Sequence, residues 1–453
     1  MTTVITCRCS FLHAGETGNE FGKGEAEIQL ENERLLILPR FGEAITISLV
    51  DIEEISLAEY RVELKLSSPE TLLIYDLGYK FEDFISNLFH ARNEMILKYL
   101  LLNESVKKRG VSGDLSVANT SGAINQFENC EVRLYDTSLV LLPAAGVPIR
   151  VHYSNISRVD AKDYSLAIET ESGSRFTISR MGKEFDPFSR DLSDAINALN
   201  IQSQSLVKGL APSADQSVIR AVSRLMKDGK AARSSDIKSV APAMWGDIEK
   251  KLEQTAIWNE YQYLKSLARE DKIAVGIKRG LIGNLTGNYL WLLIPIYGKN
   301  PEFGNAVALE AVRLTADEGD SSTGGNSVEE VIGATSGNAT YFFRIVGRND
   351  YLRLASNLAE LDTTIDSIIR RTNQLMLDIN FRREPIFLSD EQLAEAKYSR
   401  YRYATQKISS LRELRQLFIG RIIHSTFEQW KSDVSKLLSF NMTAKDDAKW
   451  EKS

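Results

Sequence analysis

The chain repeats itself, and the repeat limits what it can fold into more than any other feature. Asp51–Asn93 aligns without a gap on Asn155–Asn197, a shift of 155 − 51 = 104 residues, and the match extends upstream to Glu27 and Glu131. Identical pairs include Leu30/Leu134, Leu35/Leu139, Pro39/Pro143, Gly42/Gly146, Ile52/Ile156, Tyr60/Tyr164, Gly78/Gly182, Phe84/Phe188 and Leu88/Leu192. Most are apolar or turn-forming types. What is duplicated is therefore a fold core, and the repeat by itself names no activity.

In the first copy apolar residues alternate over Ala26–Leu30, Leu35–Leu38, Ile45–Leu49, Val62–Leu66 and Leu72–Tyr75. That is the period of antiparallel strands, and Pro39 with Gly42 brackets a turn between two of them. Thr3–His13 supplies a further strand. After Gly78 the period changes: Phe81, Phe84, Ile85, Leu88, Ala91 and Met95 make the apolar stripe of a helix.

Short strands followed by one amphipathic helix, carried by EIQLENERLLILPRFGEAITISLVDIEEI and YKFEDFISNLFHARNEM, resemble the wider pleckstrin-homology (PH/GRAM-like) superfamily. The resemblance implies an α+β fold of tandem units, each a bent antiparallel sheet capped by a C-terminal helix, followed by helical segments. Phe81, Phe84 and Leu88, and their counterparts Phe185, Phe188 and Leu192, would form the plug. Many PH domains that bind phosphoinositides carry a basic cluster between their first two strands. Here those segments read AGETGNEFGKGE and AINQFENCE, both net acidic, so neither offers a cradle for multivalent phosphate.

The expected units are residues 1–105 and 106–210 (PH-like), 211–270 (a helical spacer), 271–380 (a third, diverged PH-like unit or another α+β unit) and 381–453 (a basic helical tail). The polar stretch Ser105–Ser121 reads as a hinge. Pro187, tolerated in a first turn, places a helix start near Asp186. Ala214–Met226 and Trp245–Leu267 carry helix-spaced apolar residues, joined by the loop DGKAARSSDIKSVAP; Trp245 and Trp258 read as packed on their own protein. Strand-like runs return at Ile273–Ile277, Tyr289–Ile296, Ala306–Leu314 and Ala339–Ile345, and the Gly/Ser/Asp-rich stretch Ala316–Asn338 reads as a mobile tip. A final strand, Gly347 and an amphipathic helix then echo the earlier order. The Gly-rich IKRGLIGNLTGN matches neither a Walker A nor a dinucleotide fingerprint and reads as turn chemistry.

Ser389–Gln392 opens a helix with a capping-box pattern. Between Lys397 and Arg421 stand seven basic residues (Lys397, Arg400, Arg402, Lys407, Arg412, Arg415 and Arg421) against one acidic residue, Glu413. Interleaved with Tyr398, Tyr401 and Tyr403, they form the candidate anionic-ligand surface. Leu411, Leu414, Leu417, Phe418, Ile422, Ile423, Phe427, Trp430, Val434 and Leu437 form a long helical stripe, for intramolecular packing or for a homo-oligomer through this C-terminal helix. Thr443–Ser453 is polar and expected to fray.

Three cysteines, Cys7, Cys9 and Cys130, are too few for a disulfide framework or a paired zinc site. The four histidines lie in separate regions and match no metal or triad spacing, and no nucleophile-elbow or zinc-protease motif is present. The expectation is a chain without cofactor that is not an enzyme. The first residues lack a secretory pattern, and the apolar run Tyr289–Tyr297 is too short to cross a bilayer as a helix, so the expected location is cytoplasmic. With a net charge of −6 it is not built as a general polyanion binder. The function this implies is a protein-interaction scaffold that takes a protein partner by strand addition. The alternative is an anionic membrane-surface or nucleic-acid binder that uses the 397–421 segment.

Overall fold

The computed structural model describes residues 5–15, 18–102, 104–119, 122–144, 146–279, 288–298, 303–314 and 339–450. The chain divides into two compact units, Met1–Ala195 and Ile196–Ser453.

The first unit holds both copies of the repeat. In the first module the strands are β1 (Ile5–Gly15), β2 (Glu20–Leu30), β3 (Arg34–Pro39), β4 (Ile45–Ser48), β5 (Ile52–Ala58), β6 (Arg61–Leu66) and β7 (Glu70–Tyr75), followed by helix α1 (Phe81–Tyr99). The second module has β8 (Val106–Ala118), β9 (Ile124–Tyr135), β10 (Ser138–Leu142), β11 (Ile149–His152), β12 (Ile156–Lys162), β13 (Ser165–Thr170) and β14 (Arg175–Ser179), followed by α2 (Phe185–Leu210). The two sheets have the same antiparallel order, β4-β3-β2-β1-β7-β6-β5 and β11-β10-β9-β8-β14-β13-β12. Seven antiparallel strands capped by a C-terminal helix make each a PH-like unit. The expected plug is in place, with Phe84, Leu88, Phe188 and Leu192 fully buried. Gly78 and Gly182 both adopt φ +58 where the last strand turns into the helix, a left-handed conformation that costs glycine little.

Two parts of this unit differ from the expectation. The stretch 105–121 is not a hinge: Val106–Ala118 is the first strand of the second sheet, paired to both β9 and β14. Its alternate residues Val111, Gly113 and Leu115 face inward. Gly113 is required there, because a Cβ would lie 2.5 Å from the Ser179 carbonyl. Strand β5 escaped the alternation because a β-bulge between Ile52 and Glu54 breaks the period.

The last turns of α1 meet the second module. Arg133 of β9 is wholly buried and bonds Glu131 and Glu94, each at 2.6 Å, while Asn93 donates to Glu131 at 2.9 Å. Leu97 of α1 packs with Tyr135, Val140 and Leu142. The two modules thus share a core through a neutralised buried guanidinium.

The second unit is built on one sheet of β15 (Ala231–Arg233), β16 (Ala274–Arg279), β17 (Asn288–Ile296), β18 (Ala306–Leu314), β19 (Ala339–Arg344) and β20 (Phe418–Ile423). The order is a plain antiparallel meander, β15 through β20, and so differs from that of the modules. Both faces are covered. Leu290, Leu292 and Phe342 pack with Trp245, Tyr261, Trp430 and Leu437 from flanking helices. On the opposite face Trp291 meets Phe381 at 5.0 Å between ring centroids, and Tyr341 meets Phe387.

The expected strand-to-Gly347-to-helix order holds, with Gly347 capping the helix Arg348–Leu354. The continuous helical stripe does not: helix Ser409–Leu417 gives way to strand β20, and a helix resumes only at Phe427–Thr443. Phe418–Ile423 carries β-favouring residues, and its pairing with β19 outweighs the helical spacing around it. The stripe of the last helix (Trp430, Val434, Leu437, Leu438) is buried inside this unit. It therefore offers no apolar face for a homo-oligomer, the role that sequence spacing left open for it.

Trp245–Leu267 is two helices, Met244–Glu253 and Trp258–Leu267. The stretch expected as a loop before them holds β15 and the helix Ser234–Val240. Residues 444–450 do not fray. Lys449 donates to the carbonyls of Arg415 and Phe418, and the Trp450 amide to the Ile419 carbonyl at 2.7 Å. The stretch 316–338, expected as a mobile tip, and the glycines of 280–287 lie outside the described residues.

Among the described residues, no helix is long and apolar enough to cross a membrane.

Candidate functional site

The most distinctive surface feature is the mouth of the first module's curled sheet. There the end of β1, the start of β2, the β3–β4 turn and the β6–β7 turn converge around a cavity of about 790 Å3. Phe11, almost wholly buried, forms its floor. Phe21 and Phe41 rim it with exposures of 60% and 86%, far beyond what rings of this size show in a core. Gly15 makes room for one of them, since a Cβ there would sit 3.1 Å from the Phe21 ring. His13 is fixed from both sides: its Nε2 lies 3.0 Å from Glu70 Oε2, and its ring meets Phe21 edge-on at 5.3 Å.

The charge of the mouth is acidic. Lys23 faces Glu43, Asp51 and Glu70, one cation against three carboxylates, and its ammonium is already paired with Glu20 at 2.7 Å. A phosphorylated ligand would meet repulsion here. A cationic or aromatic side chain would meet the Phe21 ring and the carboxylates, both attractive to it, while the Phe41 ring already has the Arg40 guanidinium 5.8 Å from its centre. The acidity comes from Glu43, Asp51 and Glu70, brought in from later in the chain; the first inter-strand segment contributes Phe21, Gly22 and Lys23 to the lining.

The sequence pointed elsewhere for binding residues. Of the seven basic candidates, Lys397 pairs with Glu395 at 2.9 Å and lies over Tyr398, and Arg400 lies over the Tyr401 ring at 5.0 Å. Arg402 donates to the Ala394 carbonyl at 3.1 Å and Arg412 to the Gln406 carbonyl. Lys407 is half-buried. Arg415 is turned inward, onto the carbonyls of Pro385 and Leu388 and the Asp390 carboxylate. Arg421 stands in β20 with its guanidinium 3.6 Å from the centre of the Phe387 ring. Lys397, Arg402 and Arg412 are the exposed members of the set. The glycine-rich stretch near Lys278 fares similarly: Lys278 is buried and spent on Asp228 at 2.6 Å.

No motif in the sequence marks His13, Phe21 and Phe41 as binding residues. Phe21 lies in a segment read for its lack of basic residues. Phe41 sits between Pro39 and Gly42, and an aromatic at a turn tip was the one available signal.

No family model matches the chain, and no curated protein matches it. Among solved structures it is similar to one titled "Structure of the Spt16D Pob3N heterodimer", at 12% identity and a TM-score of 0.17 over 38% of this chain and 84% of that one. A likeness of that size carries no functional weight, and the fold is read from strand order and capping helices alone.

Proposed function

We propose that the chain is a non-enzymatic, cytoplasmic protein-interaction scaffold and that the mouth of the first module holds a segment of a protein partner. The observation that carries this is the pair of mostly exposed rings, Phe21 and Phe41, flanking an acidic cavity. Exposed apolar surface around a cavity marks sites that gain by being covered. The lining favours a partner residue that is basic or aromatic. The shared core of the two modules supports a scaffold role, because it holds them as one body. The alternative reading, an anionic membrane or nucleic-acid surface on residues 397–421, has weaker support, since Arg415 and Arg421 point inward.

A photo-crosslinking residue in place of Phe41, in the full chain within its native cells, tests the reading. The expected result is protein adducts that disappear when Phe21→Ser and Glu70→Gln are added. Adducts to lipid or nucleic acid, or protein adducts indifferent to both changes, would refute it. Sedimentation with anionic vesicles at two salt concentrations tests the alternative, because electrostatic binding must weaken steeply with salt.

A further inference from the structure

Strand β12 (Ile156–Lys162) closes one edge of the second module's sheet; its hydrogen-bonded neighbour in that sheet is β13. From Ser157 to Lys162 every residue is exposed except Val159, which is half-buried. The hairpin after it fixes which backbone groups face outward. Asp163 and Tyr164 both have positive φ, 51 and 55, and Lys162 stands opposite Ser165. In a two-residue hairpin the flanking pair exchanges both its hydrogen bonds. Lys162, Asp160 and Arg158 therefore bond inward to β13, and the N–H and C=O groups of Ala161 and Val159 point away from the sheet.

The equivalent edge of the first module is capped at its start. Arg92 of α1 donates to the carbonyls of Ile52 and Glu53 at 2.8 and 2.7 Å, at the start of β5. The residue 104 positions on is Ile196, which has no donor to do the same. The first edge carries Glu53 and Glu54; the second carries Arg158, Asp160 and Lys162, alternating in sign along one face.

We infer that β12 pairs antiparallel with β12 of a second copy of this chain, about a twofold axis at Val159. Charge selects that register. Centring on Val159 lets its backbone exchange two hydrogen bonds with its own copy and sets Arg158 opposite Asp160 on both sides of the axis. Centring on Asp160 sets Asp160 against itself and Arg158 against Lys162, which is repulsive. Centring on Ala161 again pairs unlike charges, but it runs Val159 against the turn residue Asp163, where the ladder ends. Arg158 and Asp160 already lie 3.3 Å apart within one copy, so pairing exchanges one such contact in each copy for two across the axis, and the charges choose the register while the backbone hydrogen bonds supply the attraction. The interface is small, as a reversible dimer requires. It is separate from the mouth of the first module and does not depend on that site's role.

Sedimentation velocity of the full chain over a concentration series up to about 0.1 mM tests the proposal, with circular dichroism to verify that each variant folds. The wild type should dimerise reversibly. Val159→Pro removes one outward N–H from each copy and should weaken the dimer at least about tenfold. Asp160→Arg should weaken it about two- to fivefold. The double exchange Arg158→Asp with Asp160→Arg restores unlike pairs about Val159, but leaves Arg opposite Lys162 about Ala161; recovery of wild-type affinity therefore establishes the Val159 register. Glu54→Arg, on the counterpart strand of the first module, should leave dimerisation unchanged. A chain monomeric across the series, or a dimer unmoved by Val159→Pro, would overturn the inference.

Discussion

The two modules share one fold and have put the same positions to different use. On the second strand of each, Glu27 and Gln29 correspond to Glu131 and Arg133. In the first module Gln29 bonds Glu27 at 2.7 Å on an exposed face. In the second, Arg133 is buried between Glu131 and Glu94 beneath the helix of its neighbour. The mouths diverge as well. Opposite Phe11 on the adjacent strand stands Gly24, whereas opposite Leu115 stands Phe127. The second module has Val117 and Ser174 where the first has His13 and Glu70, and its Phe127 ring lies against the Gly146 turn. Duplication preserved the plugged sheet, and divergence made one copy the seat of a cavity and the other the seat of the inter-module contact.

The comparison breaks most sharply at Arg133. Its truncation to Ala removes a buried cation hydrogen-bonded to two partly solvated carboxylates and should cost about 1.5–3 kcal/mol in urea unfolding. Gln29→Ala should change stability by no more than about 0.5 kcal/mol. Equal losses would mean the two strands are used alike.

Arg92→Ala comes next. It strips the donors from two carbonyls of β5 and should cost about 1–3 kcal/mol, with faster amide exchange along β5 than along its neighbour β6. The glycine pair sharpens the opposite half of the comparison. Gly78→Ala and Gly182→Ala force a side chain into φ +58 with open space around each, so each should cost about 1 kcal/mol and the two losses should match.

The cysteines report each module's opening separately. Burial pushes the Cys9 and Cys130 thiols up to about 12, so at neutral pH each should be alkylated only through local unfolding. Braced by the Arg133 contact, Cys130 should react several-fold more slowly than Cys9; the reverse order would show the first module to be the firmer. The smallest effect on stability is expected at the mouth. Phe41→Ser, at an exposed tip, should shift unfolding by no more than about 0.5 kcal/mol while reducing recovery of the crosslinked protein partner when wild type and variant are compared by pull-down.

Much of the fold was legible because its signals are local. Alternation over 35–38 and 62–66 marked strands, the change of period after Gly78 marked the helix, and the helix-spaced pairs Phe84/Phe188 and Leu88/Leu192 marked the plug. The signals failed where partners lie far along the chain. Val106–Ala118 reads as a polar hinge until β9 and β14 flank it, and its inward side holds Gly113, whose missing side chain gives no apolar signal. Phe418–Ile423 sits among helix-spaced residues and becomes a strand because β19 supplies its pairing. The basic segment 397–421 was visible as composition. Composition could not show that Arg415 bonds carbonyls from Pro385 to Leu388 or that Arg421 lies on Phe387.

The sequence by itself determined the duplicated core, the strand-to-helix order of each module and the turning glycines. Each of these follows from the backbone preferences and burial period of adjacent residues. Only the tertiary structure decided which copy of a surface stays solvated, which becomes an interface and where a cavity opens. Those outcomes depend on groups brought together from far along the chain: Arg133 meets Glu94 across 39 residues, and His13 meets Glu70 across 57. A guanidinium is stable in a core only when such partners arrive to neutralise it, and no window of neighbouring residues records whether they do.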